Sequence, residues 1–521
     1  MKDDSQRWIW ALTGALFVIS AWPLALVQVL PFQDLPNHLA SIHILWHPEK
    51  YPEFVANGFF KTNTALFAWL YVVGKPLGLH LAAKLFALGV LFLNAFTYPR
   101  FVLALTGSRG KATVATLFMW PMVHNWWVSM GMLDYALGLP LSLWLLVLAN
   151  RQLRAPSVQN ALMIVGVSFA CWYAHTFALL VAGLLIAIEA TRLREHKAHF
   201  WRHVRWIALP LVPVAGLIVV SIVAHLTEPQ GEMTGNTELR RMLPTWELVY
   251  HLWAEWCCGF SWRTLSSFVV VIGGVWGLLR SRQPAPFFSG RAMILLGVVY
   301  LLTPYSLTNW FHVSSRFIPY IWFGLLLRVP ERVPTWLGRA VAACAVLYSV
   351  GLGLEYRGMD RERRDFMAAI DAVPAGSDLL PLLFKRKDLS EHTQNLLHAW
   401  GYYVMAKDTS APLLFAHSRA FPVMYRTAPP PRFNHLVLEA FPVHMRTLRA
   451  FCERSRENSQ VVRDHCEAEY AETFREFWDD ARGRFDHVLL WDPTDVVLQN
   501  VPPYYAPTFH QGKLWIYART P

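Results

Sequence analysis

The sequence predicts a polytopic α-helical membrane protein, with about eleven transmembrane helices and a C-terminal extracytoplasmic α/β domain. Three observations predict it. Only 16% of the 521 residues are charged and 54% are hydrophobic, whereas a soluble globular chain carries about 25% charged residues. Apolar runs long enough to cross a hydrocarbon core, about 20 residues each, recur from residue 8 to residue 355. Basic residues cluster in alternate connections between those runs, the pattern of cytoplasmic loops. After Glu355 the composition becomes mixed and charged.

The expected spans lie near 8–30, 82–99, 112–129, 132–150, 158–173, 176–190, 206–225, 264–280, 292–308, 316–328 and 339–355. The first is long enough to span and has no small-residue cleavage site, so it reads as a retained signal-anchor. One set of connections carries Lys2 and Arg7, then Arg100, Arg109 and Lys111, then Arg151 and Arg154, and continues through Arg192, Arg205, Arg280, Arg291, Arg328 and Arg339. The alternate set is acidic or balanced: Asp34, Glu49, Glu53, Asp134, Glu228, Glu232, Glu238, Glu247 and Glu255. The N-terminus is therefore expected in the cytoplasm, and an odd number of spans puts the tail outside, in the periplasm of a bacterial inner membrane. Residues 62–79 are expected to lie as a re-entrant or interfacial helix, because an added span would turn every later basic loop outward.

Two domains follow: a transmembrane domain over 1–355, with a first outer loop at 31–81, and an extracytoplasmic α/β domain over 356–521. In the tail, helices are expected at Arg361–Val373, Asn395–Ala406 and Glu467–Arg482. Strands are expected at Asp378–Phe384, Phe485–Trp491 and Lys513–Arg519, with a Pro-rich linker at Pro429-Pro430-Pro431. The +11 net charge is distributed over membrane loops, which argues against a nucleic-acid partner. Of six cysteines, Cys171 and Cys344 fall in apolar runs. Cys257 and Cys258 are adjacent, and Cys452 and Cys466 are candidates for a tail disulfide in an oxidising compartment. No metal motif, P-loop, nucleophile elbow or internal repeat is present in the pattern.

The most informative string is Phe32-Gln33-Asp34-Leu35-Pro36-Asn37-His38, directly after the first span. A carboxylate at an apolar boundary is partly desolvated, which suits it to act as a general base. The spacing alone favours a simpler role, with Asp34 as the N-cap of a helix whose first turn holds Pro36.

At this string the chain resembles the GT-C superfamily of membrane glycosyltransferases, bacterial members of uncertain substrate above all. That resemblance implies a cytoplasmic N-terminus, many spans, an acidic residue in the first outer loop, an outer C-terminal domain and a polyprenyl-phosphate-linked sugar as donor. The paired Asp-Glu of protein O-mannosyltransferases and the WWD-type signature of oligosaccharyltransferases are not found, so no acceptor class is implied.

Further polar residues at the outer edges of the spans fit a substrate cavity. His124 and Asn125 end the third span, Asp134 opens the fourth, and His175 lies between the fifth and sixth. Ionisable groups at membrane depth usually face a cavity or a partner. With Asn37 and His38 they are candidates for substrate binding or for supporting the base. If a divalent metal takes part, Asp34 and Asp134 are the carboxylates for it; Asp134 is equally read as a helix-start acid. Arg316 opens the tenth span on the outer side, against the positive-inside trend, four residues after His312. An arginine there can grip a phosphate through two parallel hydrogen bonds. Arg240 and Arg241 form a weaker second candidate. Asp34 would then deprotonate an acceptor hydroxyl in an inverting transfer while Arg316 neutralises the departing phosphate. The competing class is a non-enzymatic transporter, flippase or assembly component for lipid-linked glycans. The membrane lipids themselves are the remaining expected partner.

Overall fold

The computed structural model describes residues 2–192, 197–227, 241–258, 261–262, 264–280, 285–307, 311–385, 393–427, 429–455 and 460–520. Arg240, and the side chains of Cys452 and Cys466, lie outside what is described. In chain order the helices are α1 (Lys2–Ala21), α2 (Leu35–Trp46), α3 (Ala65–Leu77), α4 (Leu79–Thr106), α5 (Arg109–Val123), α6 (Trp126–Met130), α7 (Leu133–Arg154), α8 (Val158–Arg192) and α9 (Lys197–Leu226). They continue with α10 (Thr245–Cys257), α11 (Val269–Leu279), α12 (Gly290–Leu302), α13 (Ile318–Leu326), α14 (Thr335–Met367), α15 (Gly401–Lys407), α16 (His435–Ser455), α17 (Gln460–Arg482) and α18 (Asp495–Gln499). The strands are β1 (Phe54–Ala56), β2 (Leu379–Leu383), β3 (Val423–Tyr425), β4 (His487–Trp491), β5 (Tyr505–Gln511) and β6 (Leu514–Arg519). Two compact units share them. One, the membrane unit, holds 1–30, 59–228 and 237–357; the other, the tail unit, holds 31–58, 229–236 and 358–521.

Within the membrane unit, six helical stretches among the described residues are long and apolar enough to cross a bilayer: Arg7–Leu26, Leu79–Thr106, Leu133–Arg154, Val158–Thr191, Val204–Val223 and Thr335–Ala372. The expected spans at 264–280, 292–308 and 316–328 contain the shorter helices α11, α12 and α13. Those expected at 158–173 and 176–190 share α8, whose backbone leaves the helical region at His175 (φ −165°, ψ 114°). Cys171, His175 and Ala178 all meet Gly138 of α7, so the break is packed against that helix. Within 62–79, α3 has 13 residues, a rise of about 20 Å at 1.5 Å per residue, short of a full crossing. Helix ends obey local chemistry. Gly107, in the left-handed region at φ 68°, stops α4, and Ser108 accepts the Lys111 N–H at 3.2 Å to start α5.

The described residues of the tail unit come from two separated stretches of chain, 31–58 and 358–521. Its main sheet has the order β2-β4-β6-β5, with β2 and β4 parallel and the other pairs antiparallel. β2 is buried at every position, as a strand covered on both faces must be. Three of these strands match the sequence expectation. β5 was not expected, because Tyr505–Gln511 has Pro507 inside it; it forms the sheet edge, where a missing N–H is tolerated. A second, two-stranded sheet pairs β1 with β3, Phe54 opposite Tyr425. The core accordingly mixes Ala40, Ile44, Tyr51 and Phe54 with Leu380, Trp400, Leu413, Tyr425, Trp478 and Leu490. Helices α2 and α15 lie so close that a Cβ on Gly401 would stand 2.4 Å from the Pro36 carbonyl oxygen.

Candidate functional site

Asp34 ends the segment that leads into α2. The Asp-x-Pro pattern predicts an N-cap, yet the Asp34 backbone is itself helical (φ −87°, ψ −13°) and its side chain makes no capping hydrogen bond. Oδ1 instead lies 3.2 Å from Nδ1 of His398 and 3.5 Å from the Gln33 amide nitrogen. Oδ2 accepts no hydrogen bond among the described residues. The opposite ring nitrogen of His398, Nε2, lies 3.2 Å from Glu439 Oε1. Glu439 stands on the same face of α16 as His435, four residues before it, which turns both inward.

The electrostatics of this group follow from its burial. Burial alone would push the His398 imidazole down, but the hydrogen bonds and charges of Asp34 and Glu439 outweigh it and raise it to about 9. His38, one turn into α2, goes the other way. Burial lowers it to about 4, against the pull of the Asp34 charge and with the help of His398. Phe415 presents a ring to both, with centroids 4.8 Å from His398 and 6.5 Å from His38.

In the membrane unit, Arg316 is 4% exposed. Its guanidinium carbon sits 5.9 Å from the ring centre of Trp127 and 5.7 Å from that of Phe177. The Arg316 carbonyl accepts the Tyr135 hydroxyl at 2.6 Å, and Tyr135 packs edge-on against His175 at 5.1 Å. His175, at the break in α8, accepts the Phe177 N–H on Nδ1 at 3.2 Å. His312 joins the same neighbourhood through Trp126 and Trp127, at ring distances of 4.8 and 6.3 Å. The sequence candidates Arg316, His175 and His312 are thus gathered round one aromatic wall. Behind it lies a buried acid, Glu255. Its Oε1 accepts the Tyr305 hydroxyl at 2.6 Å and lies 3.3 and 3.4 Å from His312 and His251, and its Oε2 accepts from Ser315.

No family model matches the sequence, and no curated protein does. A crystal structure does match: ArnT from Cupriavidus metallidurans in the apo state, at a TM-score of 0.55 and 10% identity, over 99% of this chain and 98% of that one. The chain shares the fold of that structure over nearly its whole length. Its six long apolar helices and its C-terminal sheet agree with the polytopic membrane class that the composition predicted.

Several expected site residues turn out to be occupied with structure. His124 uses both ring nitrogens, bonding the Ser20 carbonyl and the Tyr356 hydroxyl at 2.7 Å each, which ties α1 and α14 to the end of α5. Asn125 caps α6 through the Val128 N–H. Asn37 gives its amide N–H to the Leu413 carbonyl and accepts the Phe415 N–H, both at 3.2 Å. Asp134 accepts the Leu66 N–H at 2.8 Å; it caps α3 from a neighbouring helix. Asp34 and Asp134 belong to different units, and among the described residues no group of three or more His, Cys, Asp or Glu is arranged to hold a metal ion.

Sequence reading missed His398, Glu439 and Glu255. A signal existed for two of them. His398 interrupts the apolar run Leu396–Trp400, and Glu255 stands alone between Trp253 and Trp256. Glu439 looks like any helix-surface acid, and nothing local marks it.

Proposed function

We propose that the chain is an inverting glycosyltransferase that moves a sugar from a polyprenyl-phosphate-linked donor to an acceptor on the periplasmic face, with Asp34 as general base. The observation that carries this reading is the asymmetry of the Asp34 carboxylate. Oδ1 is held by His398 and Gln33 while Oδ2 is left open, on a fold otherwise represented by a GT-C glycosyltransferase. An open oxygen on an anchored carboxylate can take the acceptor hydroxyl proton. The acceptor oxygen then bonds the anomeric carbon, the carbon–phosphate oxygen bond breaks, and the electron pair leaves with the phosphate. Within the membrane unit, Arg316 is the candidate for binding a donor phosphate, since its planar fork can stabilise growing phosphate charge. Trp127 and Phe177 support the role by flanking the guanidinium with apolar faces, which keeps water from competing for it.

The test is sugar release from synthetic undecaprenyl-phosphate-linked arabinose, glucose and mannose by the purified protein in lipid nanodiscs, with envelope lipid extract as acceptor. Asp34→Asn keeps the size of the side chain and removes the base, so turnover should vanish while donor binding stays. Arg316→Lys keeps the charge and loses the planar fork, and should raise KM for donor more than for acceptor. Full turnover in Asp34→Asn would end the reading.

A further inference from the structure

We infer that His398 is a positioning residue for this transfer, clamped by Glu439 so that it fixes Asp34 Oδ1 and leaves Oδ2 turned towards the acceptor. The inference rests on Asp34 being the base.

Three features carry it. First, Asp34 has no other anchor of comparable strength. It does not cap α2, and the Gln33 amide, at 3.5 Å, sits at the limit of hydrogen bonding. Second, His398 is 2% exposed and is itself held from both ends. Nδ1 faces Asp34 Oδ1 at 3.2 Å and the Gln33 carbonyl at 3.3 Å, and Nε2 faces Glu439 Oε1 at 3.2 Å. A ring gripped at both nitrogens and pressed by Phe415 cannot rotate, so neither can the carboxylate oxygen bonded to it. Third, with both nitrogens facing acceptor oxygens, the ring satisfies them together only as the doubly protonated imidazolium. The raised imidazole, near 9, agrees with that.

The other titratable groups near the ring are His38 on α2 and His435 on α16. Both are pushed down by burial, so they stand neutral beside it. During transfer His398 keeps both of its protons. The acceptor proton goes to Asp34 Oδ2, and His398 moves none.

The experiment uses the full chain in nanodiscs with the same donors. His398→Gln should lower kcat by about 10- to 100-fold with donor KM within about twofold, the expected effect of a base displaced by about an ångström. In the wild type, kcat should fall as pH rises through about 9, where the imidazolium loses its proton. Glu439→Gln removes one of the two carboxylates and should move that alkaline limb to lower pH. Histidine 15N spectra, assigned by difference from His398→Gln, should show the His398 ring doubly protonated at pH 8 in the wild type. If His398→Gln matches wild type in kcat while Asp34→Asn is dead, the positioning role is wrong and the base stands. If Asp34→Asn itself turns over, the base falls first. Should His398→Gln fail to fold, Glu439→Gln decides: an unmoved alkaline limb overturns the inference.

Discussion

Arg363 donates to the carbonyl of Phe32 at 2.7 Å, from a position with no solvent exposure at all. The same guanidinium bonds the Asn395 side chain and carbonyl, both at 2.8 Å, and the Tyr402 hydroxyl at 2.6 Å. One side chain therefore joins the segment before Asp34 to the segment before His398. Removing it leaves buried acceptors bare, which costs about 1–3 kcal/mol for each such group. Arg363→Met should loosen residues 31–58 from the rest of the tail unit. Limited proteolysis should then cut near residue 50 at temperatures where the wild type resists. An unchanged cleavage pattern would show that the β1–β3 pairing suffices alone.

Asp134 offers a clean separation of roles. If it serves α3 only as a cap, Asp134→Asn keeps an acceptor for the Leu66 N–H and should leave turnover intact. Asp134→Ala should cost about 0.5–2 kcal/mol of stability. Loss of turnover in Asp134→Asn, with normal thermal unfolding, would restore it as a sugar or metal ligand.

The tail unit should be most stable near neutral pH. His417 and His435 stack with ring centres 4.2 Å apart and planes 14° from parallel. Burial lowers His417 to about 4 and His435 well below the ordinary range. The unfolded chain takes up protons below about pH 6.5 that these folded rings refuse, so stability falls between about 6.5 and 4, by about 3 kcal/mol for His417. His398 works in the opposite sense. Its stabilisation is complete below about 6.5 and is lost as pH rises through about 9. Thermal melts at pH 5, 7 and 9 should therefore peak at 7, and His417→Phe should flatten the acid side. A melting temperature flat from pH 5 to 7 contradicts this account.

Orientation has its own test. The alternation of basic and acidic connections leads us to expect the N-terminus in the cytoplasm and the tail in the periplasm. Alkaline phosphatase fused after Glu355 should be active, and a fluorescent protein that matures only in the cytoplasm should stay dark there.

The membrane class was legible because composition and loop charge act over hundreds of residues and leave a redundant signal. Asp34 stood out in the sequence, but its contacts did not. A local rule reads Asp-x-Pro as a cap, and the rule fails here because His398, far along the chain, supplies a stronger partner for the carboxylate. His124 and Asn125 show the reverse ambiguity. Polar residues at the end of an apolar run look alike whether they meet a substrate or satisfy a helix end, and these two do the second. Glu439 could not have been found, since its inward direction depends on which face of α16 meets the core.

Pairing β1 with β3 makes the tail unit discontinuous, and that has a temporal consequence. Residues 31–58 leave the ribosome long before their partners at 358–521. At about 5–20 residues per second the wait for His398 is roughly 20–70 s, filled by synthesis and insertion of everything between. During that interval Asp34 has neither its anchor nor its enclosing core, so in a truncated or stalled chain its carboxylate stays unheld. Completion of the last strands thus acts as a licence: only a chain that has reached them can bring Asp34, His398 and Glu439 together.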